Sequence, residues 1–115
     1  MKISFDFDDC LTRRSVRKVA KLLVMKGHDI WIVTSRLGDL STNPDVRQIA
    51  NKLGIPNNNC IFVGDWKIAY FENHTDFDYH IDDYWFEITQ INDMLDSPTA
   101  IPCDLTLFFK EIEVK

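Results

Sequence analysis

Four short apolar runs in this chain each stop at a cluster of polar residues, and helix-like sequence separates one run from the next. Residues 2–7 place Ile3, Phe5 and Phe7 at strand spacing, and residues 15–26 put Val16, Val19, Ala20, Leu23 and Val24 on one helical face. Ser15 is the expected N-cap of that helix, and Gly27 sits where a C-cap glycine belongs. Residues 30–33 are continuously apolar, the pattern of a strand covered on both faces. A second helix opens at Asn43 or Pro44, runs to Leu53 and closes at Gly54. Turn-forming residues 55–59 lead to a third strand over 60–63, a short helix over 67–73 and a fourth strand over 79–81. Residues 85–95 read as helix, and Pro98 and Pro102 bracket a loop. Residues 105–114 fit either periodicity, with a lean to helix.

Strands alternating with helices predict an α/β fold, a three-layer sandwich around a mostly parallel, doubly wound, Rossmann-like sheet. The 115 residues suit a single domain spanning 1–115. In such sheets ligands bind beyond the carboxyl ends of the strands. That rule selects Asp6, Asp8 and Asp9 after the first strand and Thr34, Ser35 and Arg36 after the second. It selects Gly64, Asp65 and Lys67 after the third, and Asp82 and Asp83 after the fourth. All should converge on one edge, and this convergence says more than any single motif.

Composition narrows the classes. The chain is 45% hydrophobic and 27% charged, which argues against disorder and against a membrane protein. No apolar run approaches the roughly 20 residues that a spanning helix needs. The N-terminus enters a strand-like run directly, unlike a secretory signal. Cys10, Cys60 and Cys103 form no CxxC, so neither a zinc site nor a disulfide framework is expected, and a reducing cytoplasm is the default setting. Charge is uneven. Residues 1–67 hold eleven Lys or Arg against seven Asp or Glu, whereas 68–115 hold two against eleven. Net acidity disfavours strong nucleic-acid binding, while the basic first half suits a phosphorylated ligand.

A carboxylate cluster drawn from two strand ends is costly unless a cation neutralises it. Its ligands are hard oxygens with no His or Cys cluster beside them, which points to magnesium rather than zinc. Lys67 and the Thr34 hydroxyl would then hold a bound anion. Carboxylates, one Mg2+, one lysine and one hydroxyl make a phosphoryl-transfer set.

With those residues in place, the chain resembles the haloacid dehalogenase-like (HAD) hydrolase superfamily. Ile3-Ser4-Phe5-Asp6-Phe7-Asp8-Asp9-Cys10-Leu11 is similar to the family's apolar run followed by DxD. Ile30-Trp31-Ile32-Val33-Thr34, Lys67 and Tyr79-His80-Ile81-Asp82-Asp83 follow in the family's order, so the likeness covers the chain to about residue 90. It implies that Asp6 is the nucleophile forming an aspartyl-phosphate and Asp8 the acid and then the base. It implies magnesium on Asp6, the Asp8 carbonyl and Asp82, with Asp83 in support, and phosphoryl oxygens held by Thr34 and Lys67. Cys10 replaces the common Thr or Val, and Asp9 the common glycine. Gly64-Asp65 could open a GDxxxD form of the last motif, but Ala69 stands at its final Asp position, so Asp82-Asp83 fills that role.

The gaps after Asp8 and before Lys67 leave no room for a cap domain, so the likeness is to capless members. An open site excludes water poorly unless substrate or a second subunit covers it, and a homo-oligomer is one way to close it. Such sites suit nucleotides, phosphorylated nucleic-acid ends or phosphoproteins. Thr34-Ser35-Arg36 and Ile81-Asp82-Asp83 are similar to the deoxyribonucleotidase-like branch, which would make the activity that of a 5′-nucleotidase. Asp9, Ser35, Arg36, Arg13 and Arg14 are the candidate substrate-binding residues. Arg13, Arg14, Arg17 and Lys18 could attract a second phosphate or a nucleic-acid backbone, or form a solvated helix face. Trp66, Tyr84 and Trp85 could stack a base, although packing is the commoner role. Two other classes compete: a catalytically silent binding module on the same fold, and a receiver-like phosphoacceptor domain. A receiver needs its acceptor Asp after the third strand, where only Asp65 stands, and its Thr-then-Lys order on later strands is not met.

Overall fold

The structure, a computed structural model, describes residues 1–103. Five strands, β1 (Lys2–Phe5), β2 (Asp29–Thr34), β3 (Cys60–Phe62), β4 (Tyr79–Asp82) and β5 (Thr99–Pro102), form one sheet in the order β3-β2-β1-β4-β5. Every pairing is parallel, with Phe5 opposite both Ile32 and Ile81. Helices α1 (Arg14–Met25), α2 (Pro44–Leu53), α3 (Ile68–Phe71) and α4 (Trp85–Met94) connect the strands. The α/β class and parallel sheet are as the sequence predicts.

The two sides of the sheet can be read from the strand period of two. Ile3, Phe5, Ile30, Ile32, Tyr79 and Ile81 pack with Val16, Ala20 and Leu23 of α1 and Val46, Ala50 and Leu53 of α2. Alternate positions face the other way, where Val33 packs with Ile68 and Phe71 of α3, Phe77, Ile88 and Ile91 of α4, and Ala100. On that second side β1 and β4 carry polar residues instead: Ser4 and Asp6, His80 and Asp82, all buried. Strand order reverses at β1, which sits between β2 and β4, and the crevice at such a switch point lies at the carboxyl ends of β1 and β4. Asp6 and Asp82 stand there, one residue beyond the paired Phe5 and Ile81.

Three boundaries differ from the sequence reading. β1 ends at Phe5, the Asp6 N–H donates the last sheet bond to the Ile81 carbonyl at 2.8 Å, and residues 7–11 form a turn kinked at Asp8 and Asp9. Helix α1 begins at Arg14 with Arg13, not Ser15, in the N-cap place, and no side chain caps it. The loop expected between Pro98 and Pro102 contains β5, which pairs with β4 at the sheet edge, where proline costs no ladder bond. The helix expected over 105–114 lies outside the described residues. Gly54 closes α2 as anticipated, at φ +79°, a left-handed backbone that favours glycine.

Ile81 is fully buried at the centre of the sheet. Ile81→Ala should therefore cost about 2–5 kcal/mol, whereas Met25→Ala on the exposed end of α1 should change stability by less than about 0.5 kcal/mol. Urea denaturation followed by circular dichroism measures both.

Candidate functional site

The lysine after β3 organises the sheet edge. Lys67 is buried, and its Nζ lies 3.1 Å from Asp6 Oδ1, 2.9 Å from Asp82 Oδ2 and 2.7 Å from Glu87 Oε2. Glu87 Oε1 also accepts the Lys67 backbone N–H at 2.8 Å, so one carboxylate fixes both ends of the residue. Buried lysine is rare unless paired, and here three carboxylates surround it.

Asp82 is held from beneath. His80 Nε2 donates to Asp82 Oδ2 at 2.7 Å, the Ser4 hydroxyl donates to His80 Nδ1 at 2.7 Å, and the Tyr84 amide donates to Asp82 Oδ1 at 3.0 Å. Ser4 and His80 are register partners on β1 and β4, which is why they meet. Burial lowers the pKa of His80 and keeps it neutral, and a neutral ring has the one donor and one acceptor this chain of bonds requires. Burial opposes charge on Asp82, but the His80 bond, Lys67 and the Tyr84 amide outweigh it and hold the carboxyl well below its usual range.

Asp6 is different. Burial, then the charge of Asp82 and a hydrogen bond with Asp83, push its pKa up to about 9, against the pull of Lys67. Without a further cation the cluster carries a proton at neutral pH. Burial disfavours charge on Lys67 as well, but Asp6 and Asp82 overcome it and keep the ammonium protonated. One oxygen from each of Asp6, Asp82 and Asp83 lies within 4.8 Å of the others. These three carboxylates could hold a metal ion, and an all-oxygen donor set is the kind that hard cations take. Among the described residues, Oδ1 of Asp82 accepts the Tyr84 N–H alone, which leaves it a lone pair for a metal.

Asp8 is not beside Asp6. The chain leaves the sheet between them, and Asp9 takes φ +56° to make the turn. That is the left-handed region, which aspartate tolerates better than most side chains and glycine best. Asp8 is exposed and gripped by Arg36, whose Nε and Nη2 donate to its two oxygens at 2.9 and 2.7 Å. Arg36 Nη1 and Nη2 also donate to Asp45 at 2.9 Å each, and Nη1 to Asn43 Oδ1 at 3.1 Å. All five guanidinium N–H groups are therefore taken. Arg36, expected at the substrate, is here a clamp between the Asp8 loop and α2. Its guanidinium carbon lies 4.9 Å from the centre of the Phe7 ring.

Thr34 is buried at the end of β2, and its Oγ1 accepts the Arg36 N–H at 3.2 Å, which leaves its own hydroxyl proton to donate. Exposed Ser35 lines a cleft of about 410 Å³ with Leu37, Gly64, Asp65, Trp66, Tyr84 and Glu87. Trp66 and Tyr84 stack there with ring centroids 6.1 Å apart, whereas Trp85 lies outside the lining. Asp9, Arg13 and Arg14 are exposed around the loop and the start of α1. Cys10 is buried with its thiol 3.7 Å from the Ile81 carbonyl and 2.8 Å from the Cys103 sulfur. The bond to Cys103 and burial push its pKa far up, so it packs as a neutral thiol.

Glu87, His80 and Ser4 escaped the sequence reading as site residues. The available signals were a glutamate among the apolar positions of α4 and polar residues at period two in β1 and β4.

Two measurements test the electrostatics. Asp6 has a folded pKa of about 9 against an unfolded value of 3.8. Across that window the folded chain holds a proton the unfolded chain has lost, so in chelator stability should fall as pH rises and level off above pH 9. Asp6→Asn should flatten this slope in urea titrations at several pH values. Lys67→Met leaves three carboxylates without their ammonium. It should cost about 3–5 kcal/mol in chelator, most at high pH, and magnesium should restore part of the loss.

Comparison of this chain with protein-family models, curated proteins and solved structures finds no match.

Proposed function

We propose that the protein is a magnesium-dependent phosphomonoester hydrolase of the HAD-like, capless kind, working through an aspartyl-phosphate on Asp6. The observation that carries the reading is the buried Lys67 ammonium within 3.1 Å of both Asp6 and Asp82 at the switch point of a parallel sheet. The order of the motifs along the chain supports the family, and three free cysteines suit a reducing, cytoplasmic setting.

Asp6 Oδ attacks phosphorus as the bond to the leaving oxygen breaks, and Asp8 gives that oxygen a proton. Water then attacks the phosphorus of the aspartyl-phosphate, Asp8 takes its proton, and inorganic phosphate and the Asp6 carboxylate are released. Lys67 and the Thr34 hydroxyl hold the phosphoryl oxygens as charge develops on them. Asp6, Asp82 and Asp83 would hold magnesium, which supplies positive charge opposite the same oxygens. Glu87 positions the lysine, and Ser4 and His80 position Asp82. For Asp8 to reach the leaving oxygen the Arg36 clamp has to yield, and substrate phosphate is the natural competitor for that guanidinium.

Hydrolysis of p-nitrophenyl phosphate should require magnesium, stop in chelator and fall to background in Asp6→Asn. Lys67→Met should lower kcat by about 10²–10³-fold. Magnesium binding without turnover on a broad phosphate panel would establish the silent binding module instead.

A further inference from the structure

We infer that the cleft between α1 and α2 is a track for the phosphodiester backbone of a single-stranded nucleic acid, and that the phosphate offered to Asp6 is a polynucleotide's terminal phosphate. The second half of this inference rests on the phosphomonoester reading above.

The cleft is a shallow, open depression of about 430 Å³ lined by Arg14, Arg17, Lys18, Lys21, Lys52 and Leu53. Five of its six lining residues are cationic, in a chain whose net charge is −5. Positions 14, 17, 18 and 21 follow one another at helical spacing, so they share a face of α1. At 1.5 Å per residue they extend over about 10 Å. Lys52 closes the row from α2, its carbonyl accepting a 3.2 Å bond from Lys21 Nζ.

Among the described residues the cations of this row make no ion pair with a carboxylate, while Lys2, Arg36, Lys67 and His80 carry ion pairs elsewhere. Arg17 does not pair with a carboxylate but donates to the Leu11 and Thr12 carbonyls at 3.0 and 2.6 Å. That ties the track to the loop that carries Asp6 and Asp8. The first turn of α1 holds no acidic residue, so its helix dipole adds to the positive field.

A polyanion is the chemistry this row fits, and a nucleic-acid backbone fits it better than a lipid surface. The apolar residues Val16, Ala20 and Leu23 of α1 are buried in the core, so the face that carries the row is cationic rather than an apolar face of the kind that inserts into a bilayer. With the helically stacked spacing of one phosphate per about 3.4 Å of axis, up to about three phosphates span the row. The row also begins beside the candidate catalytic loop, where a terminal phosphate would be delivered.

The test uses a 5′-fluorescein-labelled dT12 without a terminal phosphate and reads anisotropy across a salt series. Three phosphate contacts predict a log–log salt slope near −2 for a single strand. Lys21→Glu, inside the cleft, should weaken binding at least fivefold and make the slope shallower by about 0.7. Arg47→Glu, exposed on α2 outside it, should change affinity less than twofold. No binding at low salt, equal losses in the two variants, or binding only to phosphatidylserine vesicles would overturn the track. The same proteins are assayed on 5′- and 3′-phosphorylated dT12 beside p-nitrophenyl phosphate. The oligonucleotide-to-aryl-phosphate ratio of kcat/KM should exceed ten in the wild type and fall in Lys21→Glu. Binding without turnover on either substrate upholds the track and removes the phosphatase reading. Turnover of the aryl phosphate alone, without dT12 binding, does the reverse.

Discussion

One ammonium among three carboxylates governs this structure. Lys67 Nζ is buried within 3.1 Å of Asp6, Asp82 and Glu87, and those residues come from the end of β1, from β4 and from α4. The lysine itself follows β3. A single charge therefore ties together elements that are distant in sequence, and each partner is expensive to bury without it. The remaining imbalance is equally informative. With Asp83 beside them the carboxylates outnumber the cation, so the cluster takes up a proton, and Asp6 is where it sits, with a pKa near 9. A divalent ion would displace that proton and leave Asp6 ionised.

The polar network beneath this edge is set by sheet geometry. Ser4, Asp6, His80 and Asp82 alternate with core residues, and the shared register links Ser4, His80 and Asp82 into one chain of hydrogen bonds that Lys67 joins to Asp6. On the opposite side the same strands offer Ile3, Phe5, Tyr79 and Ile81 to α1 and α2. A strand buried on both faces can thus be apolar toward one layer and functional toward the other. The clamp at Arg36 works at the same edge by different means. It fixes the exposed Asp8 loop against α2 with bidentate bonds.

Most of the architecture was legible because hydrophobic period and turn chemistry agree over residues 15–81. Helix α2 begins at Pro44 and ends before Gly54 as read, and Asp6, Thr34, Asp82 and Asp83 fall at strand ends, with Lys67 after β3 at the start of α3. Legibility failed where local signals were weak. Ser15 has the chemistry of an N-cap, yet the helix starts one residue earlier, since the turn after Asp6 sets where α1 begins. Two prolines marked a loop that is an edge strand, because an edge tolerates a missing N–H.

The sequence by itself determined the α/β class, the order of elements and the residue types at each strand end, because period and punctuation are local properties. Tertiary structure alone decided which of those residues meet. Asp6 and Asp8 are two apart in sequence, but one is buried against Lys67 and the other is exposed on Arg36, since the sheet ends between them. Glu87 joined the site, and the cationic row of α1 gained Lys52, through packing between helices that no spacing along one chain segment encodes.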